Sequence, residues 1–345
     1  MSRTIEHGSA HLPSVTVDAY NAELRDGEGF TGDRASNRAF RSLLDDLRES
    51  LAAGGHDPLG ETATEKLGKA TLDRLLIEGA PEEAGVVHTA IETFSQEFAA
   101  VIRRFLKLEE WRGTQRIVVG GGFRGSRVGE MAIGRTGVML RSAGVDLDLV
   151  PIRHDPDEAG LIGGSQLAPN WVFEGHDSIL AMDIGGTNAR VGVVALHQGQ
   201  APDLSGCAVA ASEVWCHRDD ASDRDGAVDR IVDILNGLIE RAGQDGLQLA
   251  PFIAVGCPGL IAADGTIERG GQNLPGDWEA GGFNLPCRLR DAIPQIGGQP
   301  THVAMHNDAV VQGLSAAPFM QDVERWGAMT IGTGLGNARF TNRRE

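Results

Sequence analysis

A mixed α/β fold with room for two lobes is predicted by three observations. Short apolar strands alternate with amphipathic helices along most of the chain, as in layered α/β proteins. A strand running into a glycine turn recurs three times: at Gly120-Gly121-Gly122, at Asp183-Ile184-Gly185-Gly186-Thr187-Asn188-Ala189-Arg190 and at Gly332-Thr333-Gly334-Leu335-Gly336. A length of 345 residues, 41% of them hydrophobic, makes one large or two medium domains with a substantial core.

The elements follow in order. Residues 1–35 are polar and dotted with glycine, with one candidate strand at Val15-Thr16-Val17. Helical spacing marks 36–53 and 62–78. Pro81, suited to a helix N-terminus, then leads Val87, Ile91, Phe94, Phe98, Val101, Ile102 and Phe105, the apolar face of a long helix. Arg116 to Val119 is a strand entering the first glycine turn. A helix over 126–143 and a strand from Leu147 to Ile152 follow. Asp157 and Glu158 predict a helix start, because carboxylates are favoured at the positive end of the helix dipole. Pro169 to Asp177 reads as a linker.

Strands Ile179 to Ile184 and Val191 to Leu196 flank the second glycine turn, and a helix spans 225–242. Phe252 to Val255 is a buried strand ending in Cys257-Pro258-Gly259. A glycine- and asparagine-rich loop (Asp264 to Trp278), a helix over 284–293 and a strand from His302 to Met305 lead to Asn307-Asp308 and another helix. The third turn lies between strands Met329 to Ile331 and Ala338 to Thr341.

Composition excludes several classes of function. With 48 acidic against 31 basic residues the net charge is −17, which opposes nucleic acid and anionic membranes. Cys207, Cys216, Cys257 and Cys287 lack C-x-x-C spacing, so neither a zinc ribbon nor a disulfide framework is expected. The N-terminal segment MSRTIEHGSAHL has no apolar leader, and no stretch matches a membrane span, so a cytoplasmic protein is expected.

The turns and the Asn-Asp pair carry the chemistry. A glycine turn offers unpaired N–H groups, close backbone approach and tolerance of positive φ, which suits a phosphate oxygen but also any tight turn. Asn307-Asp308 reads either as a helix N-cap or as a carboxylate placed to take a proton from a substrate hydroxyl.

Four segments, DIGGTNAR (183–190), PGLIAADGTI with NLPGDW (258–278), HNDA (306–309) and TIGTGLG (330–336), resemble the ROK (repressor, open reading frame, kinase) family and its bacterial glucokinase relatives. Their superfamily is that of the actin-like ATPases. A fifth match, IVVGGG (117–122) with DPDEAGLIGGSQLA (155–168), looks like the family's adenosine-site strand and last helix, which in the family come after the turn at 332–336. Here they precede the turn at 183–190, so the resemblance implies a circularly permuted, ribonuclease H-like, two-lobed fold. Its larger lobe would be 1–155 plus 320–345, and its smaller lobe 156–319.

The resemblance implies ATP-dependent phosphorylation of a hexose. Gly185, Gly186 and Thr187 would hold the transferring end of ATP, and Gly332, Thr333 and Gly334 its other phosphates. Gly121, Gly122 and Gly160 would flank adenosine. Mg²⁺ would bridge the phosphates, with Asp183 acting on it through water. Asp308 would be the general base, with Asn307 and Asn273 bonding neighbouring sugar hydroxyls. The partners implied are a small-molecule sugar and the nucleotide, with a homodimer as the candidate assembly.

The family's sugar-gripping Glu-x-Gly-His element and zinc motif are not recognisable. On the permuted reading the grip maps to GSAHLP (8–13), which keeps His11 but puts Gly8 where the glutamate would stand; Glu6 is the candidate substitute. Two alternatives therefore stay open. One is a weakly catalytic, sugar-binding sensor, and the other a transcriptional regulator, against which the charge of −17 argues.

Overall fold

The computed structural model describes residues 6–27, 29–220 and 222–343. In chain order the main elements are β1 (Val15–Tyr20), α1 (Asn37–Ala53), α2 (Lys69–Glu78), α3 (Pro81–Phe105), β2 (Arg116–Gly120), α4 (Arg127–Ser142), β3 (Asp148–Pro151), α5 (Ala159–Gly163), β4 (Ser178–Ile184) and β5 (Ala189–Ala195). They continue with β6 (Ala208–Trp215), α6 (Arg224–Gln244), β7 (Leu249–Cys257), α7 (Leu285–Ala292), β8 (His302–Asn307), α8 (Asp308–Leu314), β9 (Arg325–Ile331) and β10 (Leu335–Asn342). The fold is mixed α/β. Two compact units divide the chain: residues 1–21, 157–324 and 338–345 form the first, and 22–156 and 325–337 the second.

The first unit is built on a sheet in the order β8-β7-β4-β5-β6. β4, β5 and β6 form an antiparallel meander, while β7 and β8 run parallel to β4 on its other side. That is the strand order of a ribonuclease H-like sheet. Every residue of β4 and of β7 is buried, as a central strand covered on both faces requires. Helix α6 seals one face through Ala227, Val228, Ile231, Ile234, Leu235 and Leu238, at the 3–4-residue spacing of one helical stripe. On α5, a Cβ at Gly163 would collide with the Val311 carbonyl, so only glycine lets α5 lie against α8.

The N-terminal segment belongs to this unit as well. β1 pairs antiparallel with the second half of β10, from Val15 opposite Asn342 to Tyr20 opposite Ala338. Gly8 N–H donates to the Met305 carbonyl at 2.9 Å. These bonds tie the described start of the chain and the second half of β10 to this unit.

The second unit contains the parallel strands β9, β2 and β3, with β2 in the middle, and helices α1 to α4. The seven apolar positions read along α3 are all buried. Phe40, Phe94 and Phe123 pack their rings with centroids 4.9 to 5.9 Å apart, and burying each phenyl contributes about 1.5–3 kcal/mol. Pro81 is the first residue of α3, and the Glu83 carboxylate accepts the Ala80 N–H at 2.6 Å, satisfying one donor at the helix start.

Several elements differ from expectation. β6 carries the sequence AVAASEVW and is mostly exposed along one sheet edge, so its apolar alternation is too weak to read. Residues 169–177 do not form a solvated linker: Val172 and Phe173 are buried, and Phe173 meets Phe252 edge-on at 6.2 Å. α5 spans only five residues and has no acid in its first turn. α2 begins at Lys69 rather than near 62, after a separate 3₁₀ turn over Thr64–Lys66 and an interrupting Gly68.

Candidate functional site

Two carboxylates and one glycine turn come together at the ends of β4, β7 and β8 in the first unit. Asp183 lies opposite Gly256 across the β4–β7 ladder, and Asn307 opposite Cys257 across the β7–β8 ladder, so Asp308 follows on the last rung. Asp183 is only 7% exposed. The glycines around it make room for its carboxylate: a Cβ at Gly160 would collide with that group, and one at Gly256 would lie 3.3 Å from its Oδ1.

Burial raises both acids. It pushes Asp183 up to about 6, with the Arg190 guanidinium pulling down and Asp157 pushing up. Asp308 is raised to about 7, by burial first and by the Asp183 charge second, while N–H groups at the start of α8 oppose the rise. The Cys257 thiol at the end of β7 is raised by its burial and then by the same two acids. A carboxyl whose proton comes off near neutrality is matched to general base work at neutral pH.

The turn after β4 is a tight hairpin, closed by the Gly185 N–H donating to the Asn188 carbonyl at 2.8 Å. The expectation of positive φ is not met, since neither Gly185 nor Gly186 has a left-handed backbone. Space matters instead: a Cβ on Gly186 would sit 3.2 Å from the Cβ of Asn273. The N–H groups of Gly186 and Thr187 make no hydrogen bond among the described residues. Two unspent backbone donors thus stand next to two carboxylates, the kind of surface on which backbone amides can take an anion.

The other candidate residues divide between roles. Asn307 is 2% exposed. Its Oδ1 accepts from the N–H groups of Ala309 and Val310 at 3.0 and 3.4 Å, and its Nδ2 donates to the Gly259 carbonyl at 3.0 Å. It is thus the N-cap of α8 and ties the Asp308 backbone to the 258–278 loop. Asn273 is exposed beside the Gly186 turn. Glu6 and His11 are exposed, whereas His7, which the sequence reading passed over, is 8% exposed and accepts the Met305 N–H on Nδ1 at 3.2 Å. His306, also passed over, is buried and its pKa is lowered to about 4 by that burial. Its neutral ring accepts the Asn307 N–H on Nδ1 at 2.8 Å, which leaves Nε2 to donate to the Ser9 carbonyl at 3.3 Å.

In the second unit, Gly121 and the 332–334 turn come together. Gly121 has φ +81°, and a Cβ there would lie 2.5 Å from the Ile331 backbone, so the fold itself demands glycine at this position. Gly332 and Gly334 differ: neither is left-handed, and a Cβ would find nothing closer than 3.9 Å at the first and open space at the second. The Gly332 N–H donates to the Gly334 carbonyl at 2.9 Å, and the Gly332 carbonyl accepts the first N–H of α1, from Asn37, at 2.9 Å. Asn37 also lines a cavity with Arg41, Lys69, Phe123 and Ser126. The Lys69 ammonium stands 3.7 Å from the point where Gly122 would carry a Cβ. Gly160, expected alongside Gly121 and Gly122, belongs to the first unit, packed on Asp183.

No group of three or more His, Cys, Asp or Glu side chains that could cage a metal exists among the described residues. No helix among them is long and apolar enough to cross a membrane.

No protein-family model and no curated protein matches the chain. Among solved structures, it is similar to a protein provisionally assigned as a sugar kinase from Cytophaga hutchinsonii, at 19% identity and TM-score 0.36 over 48% of each chain. It is also similar to a Listeria monocytogenes protein provisionally assigned as an N-acetylmannosamine kinase, at 27% identity and TM-score 0.32 over 48% of this chain and 47% of that one. A ROK hexokinase from Thermus thermophilus aligns at 20% identity and TM-score 0.31 over 46% of this chain and 45% of that one. Each alignment therefore spans about half the length of the solved protein.

Proposed function

We propose that the protein transfers the terminal phosphoryl group of ATP to a hydroxyl of a hexose, as a glucokinase-like enzyme. One observation carries this reading: two desolvated carboxylates, Asp183 and Asp308, share a strand-end site with a glycine turn whose Gly186 and Thr187 N–H groups are unspent. The turn fits a phosphate because its donors are free and glycine at 185 and 186 puts no side chain of its own in the way. Asp183 is the carboxylate that would hold Mg²⁺, a cation that ordinarily needs only one or two protein carboxylates beside a substrate's phosphates and no protein cage.

When bound, ATP·Mg²⁺ supplies the phosphoryl group and neutralises its charge. The chain's own residues do the rest. Asp308 accepts the hydroxyl proton as the oxygen attacks, a contribution on the order of 10²–10⁴-fold. Asp183 would face the cation, while Asn307 holds Asp308 in place and Asn273 would offer its amide to the sugar. Within the second unit by itself, the turn at Gly332, Thr333 and Gly334 is the candidate place for phosphate, with Gly121 and Gly122 beside it as the candidates for adenosine.

The permuted order belongs to this proposal. Its support is the antiparallel pairing of β1 with β10, with the Arg343 N–H donating to the Ser14 carbonyl at 3.1 Å, the relation that consecutive strands acquire through a hairpin. The exposed positions of Glu6 and His11 favour a second reading, a sugar-binding sensor without the grip that productive turnover needs. ADP release across a panel of hexoses separates the two. A kinase shows sugar-dependent ADP formation that Asp308→Asn abolishes; a sensor shows sugar-induced thermal stabilisation and no ADP.

A further inference from the structure

The turn after β4 is held from outside by His217 and Arg218, which one residue separates from the end of β6. Trp215, the last residue of β6, pairs with Ala189 across the β5–β6 ladder. The chain then doubles back over the hairpin loop. The His217 Nε2 lies 2.8 Å from the Gly185 carbonyl, and the Arg218 N–H donates to the Thr187 carbonyl at 3.3 Å. A carbonyl oxygen only accepts, so Nε2 carries the proton. His217 is 4% exposed, and Trp215 packs on its ring edge-on at 5.8 Å. Trp215 in turn donates from Nε1 to Asp220 at 3.2 Å, so the ring sits in a tied loop.

The consequence follows from the planarity of the peptide. The Gly185 carbonyl and the Gly186 N–H belong to one trans peptide unit and point in opposite directions. Fixing the carbonyl on His217 therefore fixes the direction of the Gly186 N–H, one of the two unspent donors of the turn. Glycine at 185 and 186 leaves this peptide free to rotate unless something outside the turn stops it.

From this geometry we infer that His217 is a positioning residue for phosphate binding: it clamps the Gly185 carbonyl and so aims the Gly186 amide at a phosphate oxygen of the nucleotide. The inference rests on the kinase reading. The variants that test it are His217→Phe, which keeps a ring against Trp215 but no donor, and His217→Gln, whose amide nitrogen can reach where Nε2 was. Three quantities are read for each: the Kd for ATP by calorimetry, the Kd for the sugar, and amide hydrogen exchange of residues 183–190 in the unliganded protein.

His217→Phe is expected to weaken ATP by about tenfold, the loss of one well-made hydrogen bond. Sugar affinity should stay within about twofold, and exchange across the turn should accelerate. His217→Gln should restore both ATP affinity and slow exchange. Wild-type ATP affinity and wild-type exchange in His217→Phe overturn the inference while leaving the kinase reading intact. If the wild-type protein itself binds no nucleotide, the kinase reading falls, and the clamp with it. Should His217→Phe fail to fold, His217→Asn replaces it, because its shorter amide cannot reach Gly185; undiminished ATP affinity in that variant is equally fatal.

Discussion

The two glycine turns, 185–188 after β4 and 332–334 after β9, look alike as sequence and differ in what surrounds them. The first stands beside Asp183 and Asp308, two acids raised by burial, and is clamped by His217 and Arg218. The second is anchored through its Gly332 carbonyl to the start of α1. On the kinase proposal, chemistry belongs to the first and ligand positioning to the second. A strand followed by a glycine turn is thus the same local motif in both places, and the neighbouring side chains make the two surroundings chemically different.

Asp308→Asn should break this contrast most strongly. Turnover is expected to fall by about 10²–10⁴-fold, with sugar and nucleotide binding retained, because the amide keeps the shape but cannot take the proton. Near-wild-type turnover in a coupled ADP assay would mean that the first turn is no more chemical than the second.

Within the second unit the glycines themselves should separate. Gly121→Ala places a Cβ 2.5 Å from the Ile331 backbone at φ +81°, and should cost about 2–4 kcal/mol of stability by denaturant unfolding. Tolerance of alanine there would show that Gly121 serves the ligand rather than the fold.

A smaller effect concerns pH. Asp308 keeps its proton in the folded protein until about 7 but loses it near 3.8 when unfolded. Between these values the unfolded chain releases a proton that the folded chain holds, so stability falls as pH rises through that window. In metal-free, nucleotide-free protein, Asp308→Asn should therefore raise Tm at pH 8 but not at pH 4, with Asp183 retaining a slope of the same sign. An equal Tm difference at both pH values would show that Asp308 is not desolvated.

The smallest effect is expected for Gly334→Ala. A Cβ there meets nothing within 4 Å and the backbone is not left-handed, so stability should change by less than about 0.5 kcal/mol. A raised KM for ATP with unchanged Tm would identify the open space as ligand space, while unchanged KM would reduce the second turn to a plain connection.

Much of this was legible in local sequence. The face of α3, the two strands around the Gly185 turn and the placement of Asn307-Asp308 at a strand end all depend on residues a few positions apart. So does the N-cap role of Asn307, whose side chain bonds its own helix. The parts that escaped reading depend on distant partners. Gly121 needs glycine because of Ile331, and Gly160 because of Asp183. His306 is tied to Ser9 across nearly the whole chain, and His217 reaches back past β5 and β6 to Gly185.

By itself, then, the sequence determined the alternation of strands and helices, the positions of the glycine turns and the acid that follows β8, because periodicity and turn chemistry are written in neighbouring residues. Only the tertiary structure decided which glycines are free for a ligand, which histidines are buried, and that Asp183 and Asp308 are raised toward neutrality. Those properties come from desolvation and close packing, which exist only once residues remote in the chain are brought into contact.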